Sequence, residues 1–286
     1  KYLNFMKAGI EYADVITTVS STHASEICER NGGFGLSEIL AKRKKSRQLI
    51  GILNGIDHDV WTPSKDSHIP QKFGKDSVDD KVENKRELCE KLRMEFSSDT
   101  PIIGFSGEFS DEKGIGLILD SVSDLSKLNA QFVFFGKGNP KYQETLTKLA
   151  KKHPNKFGVH IGPTESLTHL LYAGCDMILV PSKSEPSGQS QLIGLRYGAV
   201  PIVHETGGLA DSIVEFTGSK NNSGTGFVFQ KFNSADLLKA IKRALTVWNN
   251  HDTWHKLQIN GMTKDFSWQA SAEKYSDIYK AVVKKD

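Results

Sequence analysis

Short apolar runs alternate with longer stretches of helical period from about residue 101 onward. Runs of this length predict buried strands, and apolar residues spaced three and four apart predict amphipathic helices. The predicted strands cover residues 102–105, 132–135, 157–161, 177–180, 200–203 and 226–229. The predicted helices between them cover residues 116–128, 142–151, 166–173, 190–197 and 208–214. This alternation predicts an α/β fold with a doubly wound, Rossmann-like parallel sheet built from right-handed βαβ units.

The first hundred residues are less regular than the rest of the chain. The pattern predicts a helix over 1–13, a strand over 15–19, a helix after Ser20, a strand over 50–53 and a helix over 83–94. The polar, proline-containing segment 62–82 reads as a long connection. Further helices are predicted over 235–248, 251–262 and 270–283. We therefore predict three parts: the tail of one α/β domain (1–48), a whole doubly wound domain (49–262) and a closing helix (263–286).

Composition narrows the functional classes without choosing one. A chain that is 38% hydrophobic and 25% charged is typical of a globular protein. No apolar run approaches the ~20 residues that span a bilayer, and no leader is visible, so we expect a cytoplasmic protein, or a plastid protein if the source is a plant or alga.

A net charge of +3 is too small to indicate nucleic-acid binding. The basic run 42–47 is interpreted as a helix end or linker, with a nucleic-acid or glucan surface as the lesser alternative.

Candidate chemistry lies in the connections that follow the predicted strands, where doubly wound sheets bind ligands. After the strand at 102–105, glycines and Lys113 suit a phosphate, although the same residues also suit a turn before a helix. After the strand at 132–135, Gly136 and Gly138 either admit a nucleotide or simply make a turn. The three cysteines lack metal-ligand spacing, and we expect no metal and no cofactor.

The connection after the strand at 177–180 carries the most specific pattern. There the backbone N–H groups of Gly188, Gln189 and Ser190 open a helix, and such N-termini bind anions. Glu185 precedes this positive end; we favour a bond to sugar hydroxyls over simple helix capping.

Two further features are less specific. The Thr206, Gly207 and Gly208 segment also precedes a helix and is either a ligand approach or a tight turn. Tyr172 either packs in the core or offers its ring to a base, because aromatic faces stack on heterocycles.

Taken together, these motifs resemble those of bacterial-type glycogen synthases and plant starch synthases along the whole chain. The matching segments, by number, are 7–10, 12–14, 17–20, 51–57, 185–192, 196–198, 206–209 and 265–268. The resemblance implies a two-domain GT-B glycosyltransferase in which the second domain holds the sugar donor. It also implies that residues 1–48 belong to the acceptor-side domain and that the closing helix packs back toward that domain.

The resemblance also implies an activity: retaining transfer of glucose from ADP-glucose to the end of an α-1,4-glucan. By this analogy Lys113 pairs with the diphosphate, and Glu185 holds glucose hydroxyls. Gly188, Gln189 and Ser190 offer N–H groups to the distal phosphate, with Gly136, Gly138, Ser187, Thr206, Gly207 and Gly208 completing the nucleotide-sugar site. Tyr172 stacks on adenine. The expected partners are the nucleotide sugar, the glucan acceptor and an N-terminal synthase domain whose lysine loop and catalytic histidine precede Lys1 in the family pattern.

One departure from the family pattern bears on activity. Glu108 stands where the family has an arginine that also binds the diphosphate; a one-residue shift of the loop would place Gly107 there instead. A unit charge ~5 Å away at an effective dielectric of ~20 is worth roughly 3 kcal/mol. Ser187 and Gln189 replace the usual cysteine and leucine, which are milder changes. We therefore keep two alternatives to an active synthase: a catalytically impaired relative that binds glucan or a partner, and a GT-B transferase that uses a UDP-sugar.

Overall fold

Residues 3–218 and 223–283 are described by a computed structural model of the chain. These residues form two parallel β-sheets. A small sheet pairs β1 (Ile16–Thr18) with β2 (Leu49–Gly51). The large sheet contains β3 (Ile102–Ser106), β4 (Gln131–Gly136), β5 (Phe157–Ile161), β6 (Met177–Val180), β7 (Val200–His204) and β8 (Phe227–Phe229).

Helices connect these strands. In chain order they are α1 (Phe5–Tyr12), α2 (Ser21–Glu26), α3 (Ser37–Lys45), a 3-10 helix (Lys75–Asp80), α4 (Lys81–Leu92), α5 (Ile115–Asp120), α6 (Val122–Leu125), α7 (Pro140–Lys152), α8 (Glu165–Gly174), α9 (Ser190–Arg196), α10 (Gly207–Ser212), α11 (Ser234–Trp248), α12 (His251–Met262) and α13 (Trp268–Val283). None of the helices in these ranges is both long enough and apolar enough to cross a bilayer.

The large sheet has the strand order β5-β4-β3-β6-β7-β8, and every pair in it is parallel. The chain builds outward from β3 to β5, returns to the middle of the sheet, and then builds outward again from β6 to β8. This is the doubly wound arrangement, so the predicted fold class is confirmed.

Side chains alternate between the two faces of the sheet and bury both. Ile103 and Phe132 pack on one face in the same core as Leu237 of α11. On the other face, Ile102 and Val133 share a core with Leu88 of α4. Successive strand residues point to opposite faces, so a strand buried on both sides reads as the continuous apolar run seen in the sequence.

Two local predictions differ from the structure. The helix predicted over 116–128 is two helices, because the chain turns at Ser121, whose hydroxyl bonds back to Leu117 O at 2.8 Å. The 62–82 connection contains the 3-10 helix and buries Phe73. The basic run includes the last turn of the unpredicted helix α3, which confirms its interpretation as a helix end, where cations are favourable.

The proposed three-part division of the chain stays a prediction. The closing helix α13 contacts the connection after β2: Ile56 N donates to Phe266 O just before the helix, and Ser271 Oγ donates to Leu53 O at 2.7 Å.

Candidate functional site

The candidate site lies where the two halves of the large sheet diverge. β3 and β6 are neighbours in the sheet, but the chain leaves them in opposite directions, toward β4 and β7. The loops that follow such strands separate and leave a crevice at their carboxyl ends, which is where doubly wound folds bind ligands. Ser106 ends β3 and Pro181 follows β6, so the two predicted motifs flank this crevice.

A groove of about 890 Å³ occupies one side of the crevice. Its walls come from the loops after β3, β4 and β5. It is lined by Ser106, Gly107, Glu108, Phe135, Gly136, Lys137, Gly138, Gln143, Ile161, Gly162 and Pro163. The structure therefore brings together the predicted Glu108, Gly136 and Gly138.

A smaller cavity of about 110 Å³ adjoins that groove, since both are lined by Ser106 and Gly107. The predicted Lys113 and Glu185 line this cavity, together with the predicted helix-start residues Gly188, Gln189 and Ser190. Residues from two distant sequence motifs thus share one small space that adjoins the groove.

A charged pair sits at the centre of the small cavity. Lys113 Nζ lies 2.6 Å from Glu185 Oε2, and Ser182 Oγ donates to the same carboxylate oxygen at 2.9 Å. The side chain of Glu185 is only 12% exposed, whereas that of Lys113 is 33% exposed. An ammonium group has three N–H donors, so Lys113 keeps donors for a ligand anion while it holds Glu185 in place.

The start of α9 supplies uncharged donors beside this pair. No side chain caps its N-terminus, and the N–H groups of Gly188 and Gln189 have no acceptor among the described residues. Gly188 has a φ of +70°, a left-handed conformation that glycine adopts without strain. Free N–H groups and the helix dipole make such an end favourable for an anion.

Several motif glycines let loops pack together. A Cβ on Gly136 would overlap Gly107 O, and Cβ atoms on Gly207 and Gly208 would overlap Glu185 O and Ser187 O. Thr206, Gly207 and Gly208 line neither cavity but pack behind the Glu185 loop; Gly208 N donates to Glu185 O at 2.9 Å. Their assignment to the donor site remains a prediction, and the geometry gives them a supporting position.

Tyr172 lies in the core, which favours the packing alternative over stacking on a base. It is 2% exposed, and Trp61 meets it edge-on at 5.7 Å. Burial raises the pKa of its phenol, while interactions of the hydroxyl with Ser190 and Ser106 act against that rise. Since its face is covered by protein, Tyr172 supports the walls of the small cavity from behind.

Three contributions were not predicted. Ser182, 1% exposed, orients Glu185. The groove wall at Ile161, Gly162 and Pro163 lies at the carboxyl end of β5, and that position after a predicted strand could have marked it as part of the site. Glu26 of α2 accepts hydrogen bonds from Thr206 Oγ1 and Gly207 N, both at 2.9 Å, and no local sequence signal links it to residues so far away.

Comparison with known proteins gives the family. A sequence profile described as "Glycosyl transferases group 1" matches residues 90–260, which is more than half of the chain. The chain belongs to the group 1 glycosyl transferases. A second profile, described as "Starch synthase catalytic domain", matches residues 1–42 of this glycosyl transferase.

Two curated relatives are glycogen synthases. That of Cellvibrio japonicus (strain Ueda107) is 42% identical over 278 residues, which are 97% of this chain and 57% of that protein. That of Thermodesulfovibrio yellowstonii is 39% identical over 281 residues, or 98% of this chain and 55% of that protein. The glycosyl transferase chain thus spans somewhat more than half the length of these relatives. The resemblance to glycogen and starch synthases is confirmed.

Solved structures agree with this assignment. The catalytic domain of starch synthase IV from Arabidopsis thaliana, bound to ADP and acarbose, superimposes with a TM-score of 0.90 at 31% identity and covers 99% of this chain and 58% of its own. Sucrose-phosphate synthase from Thermosynechococcus elongatus, with a TM-score of 0.67 and 18% identity over 98% of this chain and 61% of its own, shares the fold. The predicted GT-B type of α/β fold is confirmed.

Proposed function

We propose that this chain is the donor-binding part of an α-1,4-glucan synthase that transfers glucose from ADP-glucose with retention of configuration. The observation that carries the proposal is the Lys113–Glu185 pair beside the uncapped start of α9. Together they offer one small cavity a cation and N–H donors, which suit a phosphate, and a carboxylate, which accepts hydrogen bonds from sugar hydroxyls. The glycogen synthases among the relatives and the ADP-bound starch synthase support the choice of donor.

We assign a part of the donor to each space. The groove of about 890 Å³ has room for the nucleoside, and its inner end meets the small cavity at Ser106 and Gly107. In this arrangement the diphosphate lies between Lys113 and the N–H groups of Gly188 and Gln189, and the glucose hydroxyls bond to Glu185.

This placement also explains how the chain would assist the reaction. When the bond between glucose and ADP breaks, negative charge develops on the departing phosphate oxygen. Donors that are already fixed around that oxygen stabilise the charge without reorganising, which is a large source of catalysis. Lys113 and the start of α9 are such donors. We propose no metal and no cofactor for this step; the glucan acceptor would bind across the cleft from the donor.

Glu108 brings a negative charge to the groove beside the proposed diphosphate position. Its exposed carboxylate lines the groove, where the family has an arginine. Lys137 lines the groove as well and supplies a positive charge that offsets part of this repulsion. The glutamate favours a second candidate function, a synthase-like protein with impaired catalysis that binds glucan or a partner.

Calorimetric titration of the chain with ADP tests the donor site. We expect Glu108→Arg to bind ADP about tenfold more tightly, a change of about 1.4 kcal/mol, because solvent screens much of the roughly 3 kcal/mol that two charges ~5 Å apart would give at a dielectric of ~20. Glu112→Arg is the matched control: it makes the same change of charge at an exposed residue that lines neither cavity.

The outcomes of this titration separate the alternatives. If Glu108→Arg binds ADP no more tightly than Glu112→Arg does, Glu108 does not face the diphosphate. Micromolar binding of ADP by the unmodified chain would count against the impaired relative, and tighter binding of UDP than of ADP would favour a UDP-sugar transferase.

The chain by itself should not transfer glucose. Its donor site faces a cleft whose other wall, in the family pattern, carries the lysine loop and the catalytic histidine. We expect no incorporation of labelled glucose from ADP-glucose into glycogen above a blank reaction; measurable transfer would show that the described residues are sufficient for catalysis.

A further inference from the structure

Two histidines and a glutamate converge on the side of α8. His68 lies in the connection that follows β2, and Glu165 and His169 are one turn apart on α8, so they lie on one face of that helix. One nitrogen or oxygen donor from each of the three residues lies within 4.8 Å of the other two. His68 and Glu165 are exposed, whereas His169 is buried. The cluster therefore opens to solvent on one side and rests on the core on the other.

A hydrogen bond between Nδ1 and Asp66 orients the ring of His169. Its Nδ1 lies 2.7 Å from Asp66 Oδ2, and both side chains are 1% exposed. Asp66 also accepts hydrogen bonds from Tyr197 Oη at 2.6 Å and from the backbone N–H of His68 at 2.8 Å.

The other ring nitrogen of His169 is left without a partner. Asp66 accepts hydrogen bonds from Tyr197 Oη and His68 N, and its contact with His169 assigns the N–H donor to Nδ1. In the neutral ring, Nε2 then has a free lone pair. Among the described residues no group donates to this buried Nε2. A buried polar atom without a partner is costly and calls for an explanation.

Neighbouring rings fix the direction of that lone pair. Trp61 stacks on His169 with ring centres 4.0 Å apart and planes 12° apart, and His68 approaches from another side with ring centres 4.7 Å apart. A histidine that binds a metal through one nitrogen usually donates the other N–H to a carboxylate, which sets its tautomer and orientation. Asp66 and His169 have this arrangement.

We propose that His68, Glu165 and His169 bind one Zn²⁺ ion. Two imidazoles and a carboxylate suit zinc, and three protein ligands leave a fourth, tetrahedral position for water. Zinc–ligand bonds of about 2.0–2.1 Å place tetrahedral ligands about 3.4 Å apart. The donor atoms of the exposed His68 and Glu165 side chains already lie within 4.8 Å of the others, so small side-chain rotations would bring them to this spacing.

The ion would join two parts of the fold that are far apart in the chain. It would link the connection after β2 to the first turns of α8, which begins just after Pro163 in the wall of the groove. The site is separate from the Lys113–Glu185 pair, and the proposal does not depend on the proposed function.

Titration of the tag-free, chelator-treated chain with Zn²⁺ tests the proposal. We expect one ion bound per chain by calorimetry and a higher melting temperature with zinc than without it. His68→Ala and Glu165→Gln should each weaken zinc binding at least tenfold. Both residues are exposed, so each zinc-free variant should retain the circular dichroism spectrum and the melting temperature of the zinc-free parent.

The matched control is a second pair of histidines. His251 and His255 stack on the surface of α12 with ring centres 6.4 Å apart, a spacing that also attracts zinc. The double variant His251→Ala/His255→Ala should bind zinc within about twofold of the parent. The proposal is wrong if the parent binds no zinc, if His68→Ala with Glu165→Gln leaves binding unchanged, or if the α12 double variant abolishes it.

Substitution of Co²⁺ identifies the ligand atoms independently. Nitrogen and oxygen ligands give visible absorption without the intense thiolate charge-transfer band that cysteine ligands produce. We expect no such band, and its appearance would assign the bound metal to one of the cysteines and overturn the proposal.

Discussion

Lys81 keeps its ammonium group inside the protein, where it closes the end of α8. Its Nζ donates to Tyr172 O at 3.1 Å and to Ala173 O at 2.7 Å, two of the last carbonyl groups of that helix. A cation is favourable at this negative end of a helix. Burial nevertheless lowers the pKa of Lys81 from 10.5 to about 8, and the nearby Asp176 only partly opposes that change.

This depressed pKa makes the free energy of unfolding depend on pH. Between about pH 8 and 10.5 the unfolded chain keeps a proton that folded Lys81 has lost, so stability rises with pH in that window. A shift of this size corresponds to about 3 kcal/mol over the full window. As pH rises from 8 to 10, we expect the unfolding free energy of the parent to increase relative to that of Lys81→Met.

Urea denaturation at several pH values measures this difference. Lys75→Met removes an exposed lysine at the start of the 3-10 helix and serves as the control, with no expected change in the pH dependence of stability. If the difference in unfolding free energy between the parent and Lys81→Met does not change over this pH range, Lys81 is fully protonated in the folded protein.

Residue types in short motifs carried most of the site prediction. Lys113, Glu185 and the residues from Gly188 to Ser190 were expected near a donor because each follows a predicted strand, and all of them line one cavity. Whether a side chain faces a cavity or the core depends on its tertiary neighbours. Tyr172 is covered by Trp61, which lies more than a hundred positions earlier, and no local pattern shows that contact.

Two loops act as one element at the floor of the groove. Phe109 N donates to Lys137 O and Asn139 N donates to Phe109 O, both at 2.9 Å, so the ladder between β3 and β4 continues beyond the strands. The absence of a side chain at Gly136 allows this approach, because a Cβ there would overlap Gly107 O.

Gly136→Ala should therefore separate the two loops. We expect a loss of about 2 kcal/mol in unfolding free energy, which is typical of overpacking a buried site, and weaker binding of ADP. Gly107→Ala is the matched control in the same loop, since its Cβ would make only an ordinary contact at 3.5 Å with Phe105. Equal urea midpoints for the two variants would contradict the assigned role of Gly136.

Strand positions were predictable from sequence because buried strands are continuous apolar runs, whereas helix ends were less so. The break at Ser121 falls within a segment whose apolar spacing fits one helix, so the pattern of apolar residues did not reveal it. Helix α3 escaped prediction because its sequence is dominated by lysine and arginine, and only Ile39 and Leu40 are buried in it.

At the scale of the whole molecule, α2 ties the first segment of the chain to the large sheet. Thr22 donates to Asp211 through both its N–H at 3.0 Å and its hydroxyl at 2.6 Å, and Ser20 Oγ donates to Pro186 O at 2.6 Å. Glu26 adds two acceptor contacts at the start of α10. Partners separated by more than 160 positions cannot be paired from local sequence patterns.

Glu26→Ala tests how much this contact stabilises the assembly. The change removes a carboxylate that caps Thr206 and Gly207, so we expect a loss of about 1 kcal/mol in unfolding free energy. We also expect faster proteolysis within residues 1–48 under native conditions. Glu29→Ala changes an exposed glutamate three positions away and should alter neither measurement. Identical behaviour of the two variants would show that the Glu26 contacts contribute no stability.

The position of the donor crevice between β3 and β6 also has a consequence for how the molecule acquires its site. Asp176 Oδ2, just before β6, accepts a hydrogen bond from Ile102 N at the start of β3, although the two residues are 74 positions apart. Closing so long a loop costs chain entropy, so neighbours in sequence such as β3 and β4 pair early and the central pairing follows late. Lys113 and Glu185 belong to opposite sides of that pairing. On the proposed function, we therefore expect affinity for ADP to appear only after β3 has paired with β6, so that ADP binding during refolding would follow the assembly of the sheet.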